Sequence, residues 1–291
     1  MSTNHPRPTK ADRRENARAE ALKLREEAKR REKRNRGFAI GGLAVAVVVL
    51  VVAVWAILGS EAEPIAYRGS EPLELSQVQA PSTANETGGI PVGTDLAAGS
   101  TAGEDAVVVE VVYDYQCPYC AMFENANAFE INTLLQSGNV EFVFRPVSFL
   151  DHASGGKEFS TRAANAAAVV ADQAPEQFLQ FHNALFANQP GEGASGLSDE
   201  AIGNIALEVG VPQAVVDQFT TTTGEGGERT FSRWTFAATE YTNQDLGGLS
   251  TPTVLINGQK FPGPDQQPGI IYEPGGLSTA VLAKKVELGL D

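Results

Sequence analysis

Apolar and polar positions divide the chain into distinct stretches. Phe38 to Leu58 runs for 21 residues without a charged side chain. As a helix it would rise about 31 Å, enough to cross a bilayer core, so residues 37–59 are expected to form one transmembrane helix. From about Glu61 to Gly103 large apolar residues thin out among Ser, Thr, Gly, Pro, Ala and acids. Such a composition buries too little surface to order itself, and residues 60–103 are expected to be a flexible extracytoplasmic linker. Asn85-Glu-Thr87 within it matches a glycosylation pattern short enough to arise by chance. Beyond it, β-branched runs alternate with stretches of helical period, as expected of an α/β domain over 104–290.

Within that domain, Ala106 to Tyr113 predicts a buried strand. Pro118 to about Ser137 predicts a helix, with apolar positions at Met122, Phe123, Phe129, Ile131 and Leu134. Asn139 to Val147 predicts the next strand, Val140, Phe142 and Phe144 on one side and Glu141, Val143 and Arg145 on the other. Helical patterns then fill about 152–247: Phe159–Ala171, Pro175–Phe186, Ser198–Val209 behind a capping Ser, Pro212–Phe219, and Thr230–Leu246. Thr253–Ile256 and Gln259–Phe261 flank Asn257-Gly258, a strong hairpin signal, and Leu277–Leu288 predicts a closing amphipathic helix. The order βαβ, helical insertion, ββα resembles a thioredoxin-like sheet with an inserted helical subdomain.

Charge sharpens the organisation. Residues 1–36 hold 13 of the 22 Lys and Arg against six acids, a net of +7, whereas the remainder carries nine bases and 30 acids, a net of −21. The bias toward positive charge on the cytoplasmic side is then expected to put 1–36 inside and the residues after Leu58 outside a single-pass plasma-membrane anchor. Trp55 suits an interfacial anchor, or simple filler. The long basic segment argues against a cleaved signal peptide. The acidic exterior argues against nucleic acid as a partner.

Chemistry concentrates at Cys117-Pro118-Tyr119-Cys120, which holds the only two cysteines of the chain. In the first turn of a helix, residues three apart have Cα atoms about 5 to 5.5 Å from each other, within disulfide reach, so the pair reads as a redox dithiol. Tetrahedral zinc needs four ligands, and His5, His152 and His182 are not at ligand spacing. A bridge around two residues removes little loop entropy, which leaves a structural staple without a purpose. No metal or cofactor is expected. Pro118 suits the first helical position, and the free amides of Tyr119 and Cys120 are expected to stabilise a Cys117 thiolate, with Cys120 as the resolving thiol. Cys117 is therefore expected to be exposed. Tyr119 brings no charge, and either moderates the oxidant or faces the substrate. Asp114 is expected to be solvated; Glu124 is left open as a solvated acid or a proton relay for Cys120.

Val111 to Glu124 around the Cys-Pro-Tyr-Cys motif, Phe142-Val-Phe-Arg145-Pro-Val, Phe181 to Gln189, and Gly248-Leu-Ser-Thr251-Pro252-Thr-Val-Leu-Ile-Asn257-Gly258 together resemble the DsbA-like thiol–disulfide oxidoreductases in their membrane-anchored extracytoplasmic form. The resemblance spans about Glu104 to Leu290. It implies a cis Thr251-Pro252 bond facing the dithiol, with the Thr251 backbone pairing to substrate. It also matches Glu124 to an acidic position near the active site, and treats His182 as a packing residue of the insertion. Val111 stands where well-studied members carry a glutamate, which makes a relay through Glu110 doubtful. The implied activity is oxidation of secreted or cell-envelope proteins, with reoxidation by a DsbB-like or vitamin K epoxide reductase-like membrane partner. A reductase or isomerase, and a non-catalytic holdase, are the competing functions.

Overall fold

A computed structural model describes residues 73–191, 195–223 and 227–290. The basic segment 1–36 and the transmembrane span 37–59 lie outside the described residues, among which no helix is long and apolar enough to cross a membrane.

The sheet has five strands in the order β1-β3-β2-β4-β5: β1 Ile90–Val92, β2 Val107–Tyr113, β3 Val140–Pro146, β4 Thr253–Ile256 and β5 Gln259–Phe261. β2 and β3 are parallel, with Val111 opposite Phe144; all other pairs are antiparallel. Parallel strands need a crossover, supplied here by α1, Pro118–Gln136. The insertion follows β3 and holds α2 Phe159–Gln173, α3 Phe178–Ala187, α4 Asp199–Glu208, α5 Gln213–Val216 and α6 Ser232–Leu246; α7, Gly276–Leu288, closes the chain. Ser198 caps α4 as expected, its Oγ accepting from the Ala201 amide at 3.1 Å. Asn257 and Gly258 turn the β4–β5 hairpin with φ of 47° and 73°, the left-handed pair that a two-residue turn demands.

The tether expectation fails for its described part. Ile90-Pro-Val92 pairs antiparallel with Phe144, Val143 and Phe142, and Ile90 and Val92 are fully buried. Composition argued for disorder, but three residues against a strand edge suffice to order the segment. Asn85 supports it: its Oδ1 accepts from the Thr87 amide and hydroxyl at 3.1 and 2.8 Å and from the Gly89 amide at 2.9 Å. The folded unit thus begins well before Glu104.

One face of the sheet packs Val109, Val111, Tyr113, Phe142 and Phe144 against the helices, with Phe123, Ile131, Phe178, Phe181 and Trp234 in the same core. On the other face Val112, Val147 and Leu255 form a smaller cluster beside Phe149, Leu246 and Leu249. There Arg145, buried, bonds Glu110 at 3.0 Å, Asp245 at 3.1 Å and the Thr242 hydroxyl at 3.3 Å. Of the apolar residues expected to line α1, Phe123, Ile131 and Leu134 are buried, while Met122 and Phe129 point outward at 51% and 84% exposure. Spacing alone had placed them too near the buried face.

Candidate active site

Cys117 ends the turn that leaves β2 and caps α1, with φ −76° and ψ 118°; Pro118 occupies the first helical position, where its missing N–H leaves no bond unmade. Helix geometry begins at once: the Cys117 carbonyl accepts from the amides of Cys120 at 3.1 Å and Ala121 at 3.3 Å. Thr251-Pro252 at the start of β4 is cis, and the Thr251 carbonyl accepts from the Cys117 thiol at 3.4 Å. Two segments 134 residues apart therefore meet at one sulfur.

Both cysteines are free thiols. Cys117 is 4% exposed, more covered than expected of an attacking group, and Cys120 lies deeper at 1%. Their acidities diverge. The Cys120 thiol beside it pulls the Cys117 pKa down from 9.0 to about 6 against the upward push of burial, and the Thr251 side chain and the amides of Cys120 and Tyr119 act in the same direction. Burial drives the Cys120 thiol well above its ordinary value, and the charge of a neighbouring Cys117 thiolate adds to that. One sulfur is ready as an anion while its neighbour keeps its proton. The first amides of α1 act in the expected direction, and sequence reading missed the Thr251 hydroxyl, which is buried within reach of both sulfurs but not aligned as a hydrogen bond.

Tyr119 stands 60% exposed beside the pair. Tyr272 lines a cavity of about 440 Å³ with Pro252, Phe261, Pro262 and Lys260, and is close enough to the dithiol for the two sulfurs, after burial, to raise its pKa. The cavity extends the surface beside the cis proline. Nothing in its spacing marked Tyr272 in advance.

Asp114 departs from the expectation of a solvated acid, and Glu124, left open, is buried. Asp114 is fully buried: Oδ1 accepts from the Gln116 amide at 2.8 Å and the Ser160 hydroxyl at 2.6 Å, and Oδ2 from the Leu150 amide at 3.0 Å. Burial raises its pKa to about 7 despite these three donors. The residue is a structural brace joining the active turn to α2, hidden because its partners come from the insertion. Glu124, one helical turn beyond Cys120, is buried with Oε1 3.1 Å from His182 Nε2, at ion-pair distance but without hydrogen-bond alignment. His182 packs in the core as expected and also carries polar contacts. Its Nδ1 lies 3.0 Å from the Tyr115 hydroxyl, and the rings of Tyr113, Phe144, Phe178 and Phe186 surround it. Glu110 is held by Arg145 on the opposite face, away from the dithiol.

Gln189, just past α3, also reaches the turn: its Nε2 donates to the Tyr115 carbonyl at 2.7 Å and to the Cys117 carbonyl at 3.0 Å. Among the described residues no cluster of His, Cys, Asp and Glu could hold a metal ion.

Residues 92–270 match the family model described as Thioredoxin. Among curated proteins, serine/threonine-protein kinase PknE of Mycobacterium tuberculosis is 30% identical over 112 residues, which are 37% of this chain and 20% of that one. Disulfide bond formation protein D of Bacillus subtilis is 29% identical over 161 residues, 53% of this chain and 65% of that one. The chain thus spans about a fifth of the kinase and under two thirds of the Bacillus protein. Among solved structures, MdbA of Actinomyces oris, a thiol-disulfide oxidoreductase, aligns with a TM-score of 0.54 at 25% identity, covering 74% of this chain and 98% of that one. Oxidised DsbA of Mycobacterium tuberculosis aligns with a TM-score of 0.50 at 27% identity over 67% and 99%.

Proposed function

Because the chain belongs to the thioredoxin family, we propose that it is a thiol–disulfide oxidoreductase that introduces disulfides into secreted or cell-envelope proteins through Cys117 and Cys120. The observation that carries this reading is the split acidity of the pair beneath the cis Thr251-Pro252 segment. A thiolate is the reacting species in disulfide exchange, and a stabilised thiolate makes the disulfide form the stronger oxidant.

In the oxidised enzyme a client thiolate attacks Cys117, forming a client–Cys117 disulfide and breaking the bond to Cys120. Cys120 leaves as a thiolate and takes up a proton, which its raised pKa favours at once. A second client thiolate then attacks the client sulfur, closes the client's disulfide and expels Cys117 as a thiolate stable at neutral pH. Two electrons pass from two client thiols to the enzyme. Thr251 and Pro252 support an extended client segment, and exposed Tyr119 faces it. Reoxidation falls to a DsbB-like or vitamin K epoxide reductase-like membrane partner, with the domain held outside the plasma membrane by the span 37–59.

Similarity to MdbA and to DsbA supports this direction of exchange. A Cys117 pKa of about 6 lies between the values of about 7 for thioredoxin and about 3.5 for DsbA, so a potential between about −270 and −120 mV is expected. Titrating the thiolate absorbance and equilibrating the protein with glutathione tests both. A potential near −270 mV, or an ordinary Cys117 titration, overturns the oxidase. Full rescue of client folding by Cys117→Ser would instead establish a holdase.

A further inference from the structure

Resting on the oxidoreductase reading, we infer that Gln189 is a positioning residue: its amide, reaching out of the helical insertion, holds the Cys117 turn so that the first amides of α1 serve the sulfur.

The side chain bridges two carbonyls, Tyr115 at 2.7 Å and Cys117 at 3.0 Å. A carboxamide meets two carbonyls only with its NH₂ group, so the orientation follows from the chemistry. The Cys117 carbonyl already accepts from the Cys120 amide at 3.1 Å and the Ala121 amide at 3.3 Å, closing the first turn of α1. The Cys120 amide therefore has two claimants, the Cys117 carbonyl and the Cys117 sulfur. By donating to that carbonyl, Gln189 weakens its hold on the Cys120 N–H and leaves more of it for the thiolate. The bond to Tyr115 fixes the other side of the same turn, which the Asp114 carboxylate braces through the Gln116 amide. Pro190 restricts the backbone of Gln189, and the Gln189 amide bonds the Phe186 carbonyl at 3.1 Å, so the side chain departs from a fixed base. Sequence places Gln189 72 residues from Cys117, at the end of a helix with no chemistry of its own.

The test is the Cys117 titration in the reduced full chain, read by thiolate absorbance, with the glutathione equilibrium as a second readout. Gln189→Ala is expected to raise the Cys117 pKa by about half a unit to one unit, the span of one neutral hydrogen bond, and to shift the glutathione equilibrium about threefold to tenfold toward the disulfide. Gln189→Glu, equal in size but unable when ionised to donate to either carbonyl, raises it further. Asn188→Ala removes only the bond to the Ala184 carbonyl at 2.9 Å, loosening the same helix end without touching the turn; it is expected to titrate as the parent. Parent-like titration of both Gln189 variants overturns the inference, as does an Asn188→Ala shift equal to that of Gln189→Ala. An ordinary titration of the parent itself removes the oxidoreductase reading instead, which separates the two failures.

Discussion

The Asp199 cluster of the helical insertion and the groups around the dithiol use buried polar atoms differently. In the insertion, Asp199 at the start of α4 binds Arg162 at 3.0 Å and takes Arg229 through both oxygens, at 2.9 and 2.7 Å. Asn165 completes the frame, donating to the Phe219 carbonyl at 3.0 Å and accepting from the Phe231 amide at 2.9 Å. Around the dithiol, the Thr251 hydroxyl and both Glu124 oxygens lie buried without an aligned hydrogen bond, as does His182 Nε2, which reaches in from α3 to 3.1 Å from Glu124. Unsatisfied buried groups lower stability, typically by about 1–3 kcal/mol each. The Asp199 cluster uses its charges to hold the insertion together, whereas the Thr251 hydroxyl keeps polar capacity open next to a sulfur that must change partners.

The most severe break of this contrast is Cys117→Ser, which should reduce client oxidation to background, at least about a thousandfold, and leave the insertion folded. Stopped assays of client thiols and thermal melts read the two halves separately.

Next in size are two opposing pH dependences at the active end, set by a Cys117 pKa lowered to about 6 and an Asp114 pKa raised to about 7, each of a few kcal/mol at most. The folded pKa of Cys117 is depressed, so its contribution to the reduced protein is complete above pH 9 and is lost as pH falls through about 6. The folded pKa of Asp114 is raised, so its contribution is complete below about pH 4 and is lost as pH rises through about 7. Urea unfolding of the reduced protein from pH 4 to 9 should show both slopes. The oxidised protein should lose the first, and Asp114→Asn should flatten the second. Equal curves for reduced and oxidised protein would remove the thiolate from the account.

In the insertion, Asp199→Ala leaves Arg162 and Arg229 unpaired and should lower stability by about 2 kcal/mol, a figure reduced from that of a buried pair because the carboxylate is 36% exposed. Burial raises the Asp199 pKa, but the two guanidiniums outweigh it and hold it below the usual carboxylate range. Its contribution therefore stands above about pH 4 and is lost on further acidification. The Cys117 titration should stay unchanged. A shift there would show that the Asp199 cluster is coupled to the dithiol.

The smallest effect sharpens the active end alone. Tyr119→His places a titratable ring at an exposed position beside the sulfur, and should lower the Cys117 pKa by about one unit below the ring's own pKa. An unchanged titration would reduce Tyr119 to a substrate-facing aromatic.

What was legible in the sequence is what local chemistry decides. The dithiol, Pro118, the Asn257-Gly258 hairpin and the Ser198 cap depend on neighbours within a few positions, and the structure has them in the expected elements, whereas local chemistry favours a trans Thr251-Pro252 bond and only the family resemblance implies the cis one. The rest depended on long-range partners. Asp114 reads as a solvated acid until Ser160 and Leu150, 46 and 36 residues away, cover it. His182 and Gln189 read as ordinary helix and loop residues until α3 packs beside α1 and the Tyr115–Cys117 turn. Met122 and Phe129 failed in the other direction: their period suits a buried stripe, yet the stripe is narrower than the spacing allows.

The short strand Ile90-Pro-Val92 has a practical consequence. A recombinant fragment trimmed to Glu104, where regular patterning begins, would strip the cover from β3 and leave the backbone of Phe142, Val143 and Phe144 as an open, apolar margin. Margins of that kind recruit other chains, so such a fragment would clump in solution even though every reactive group were present.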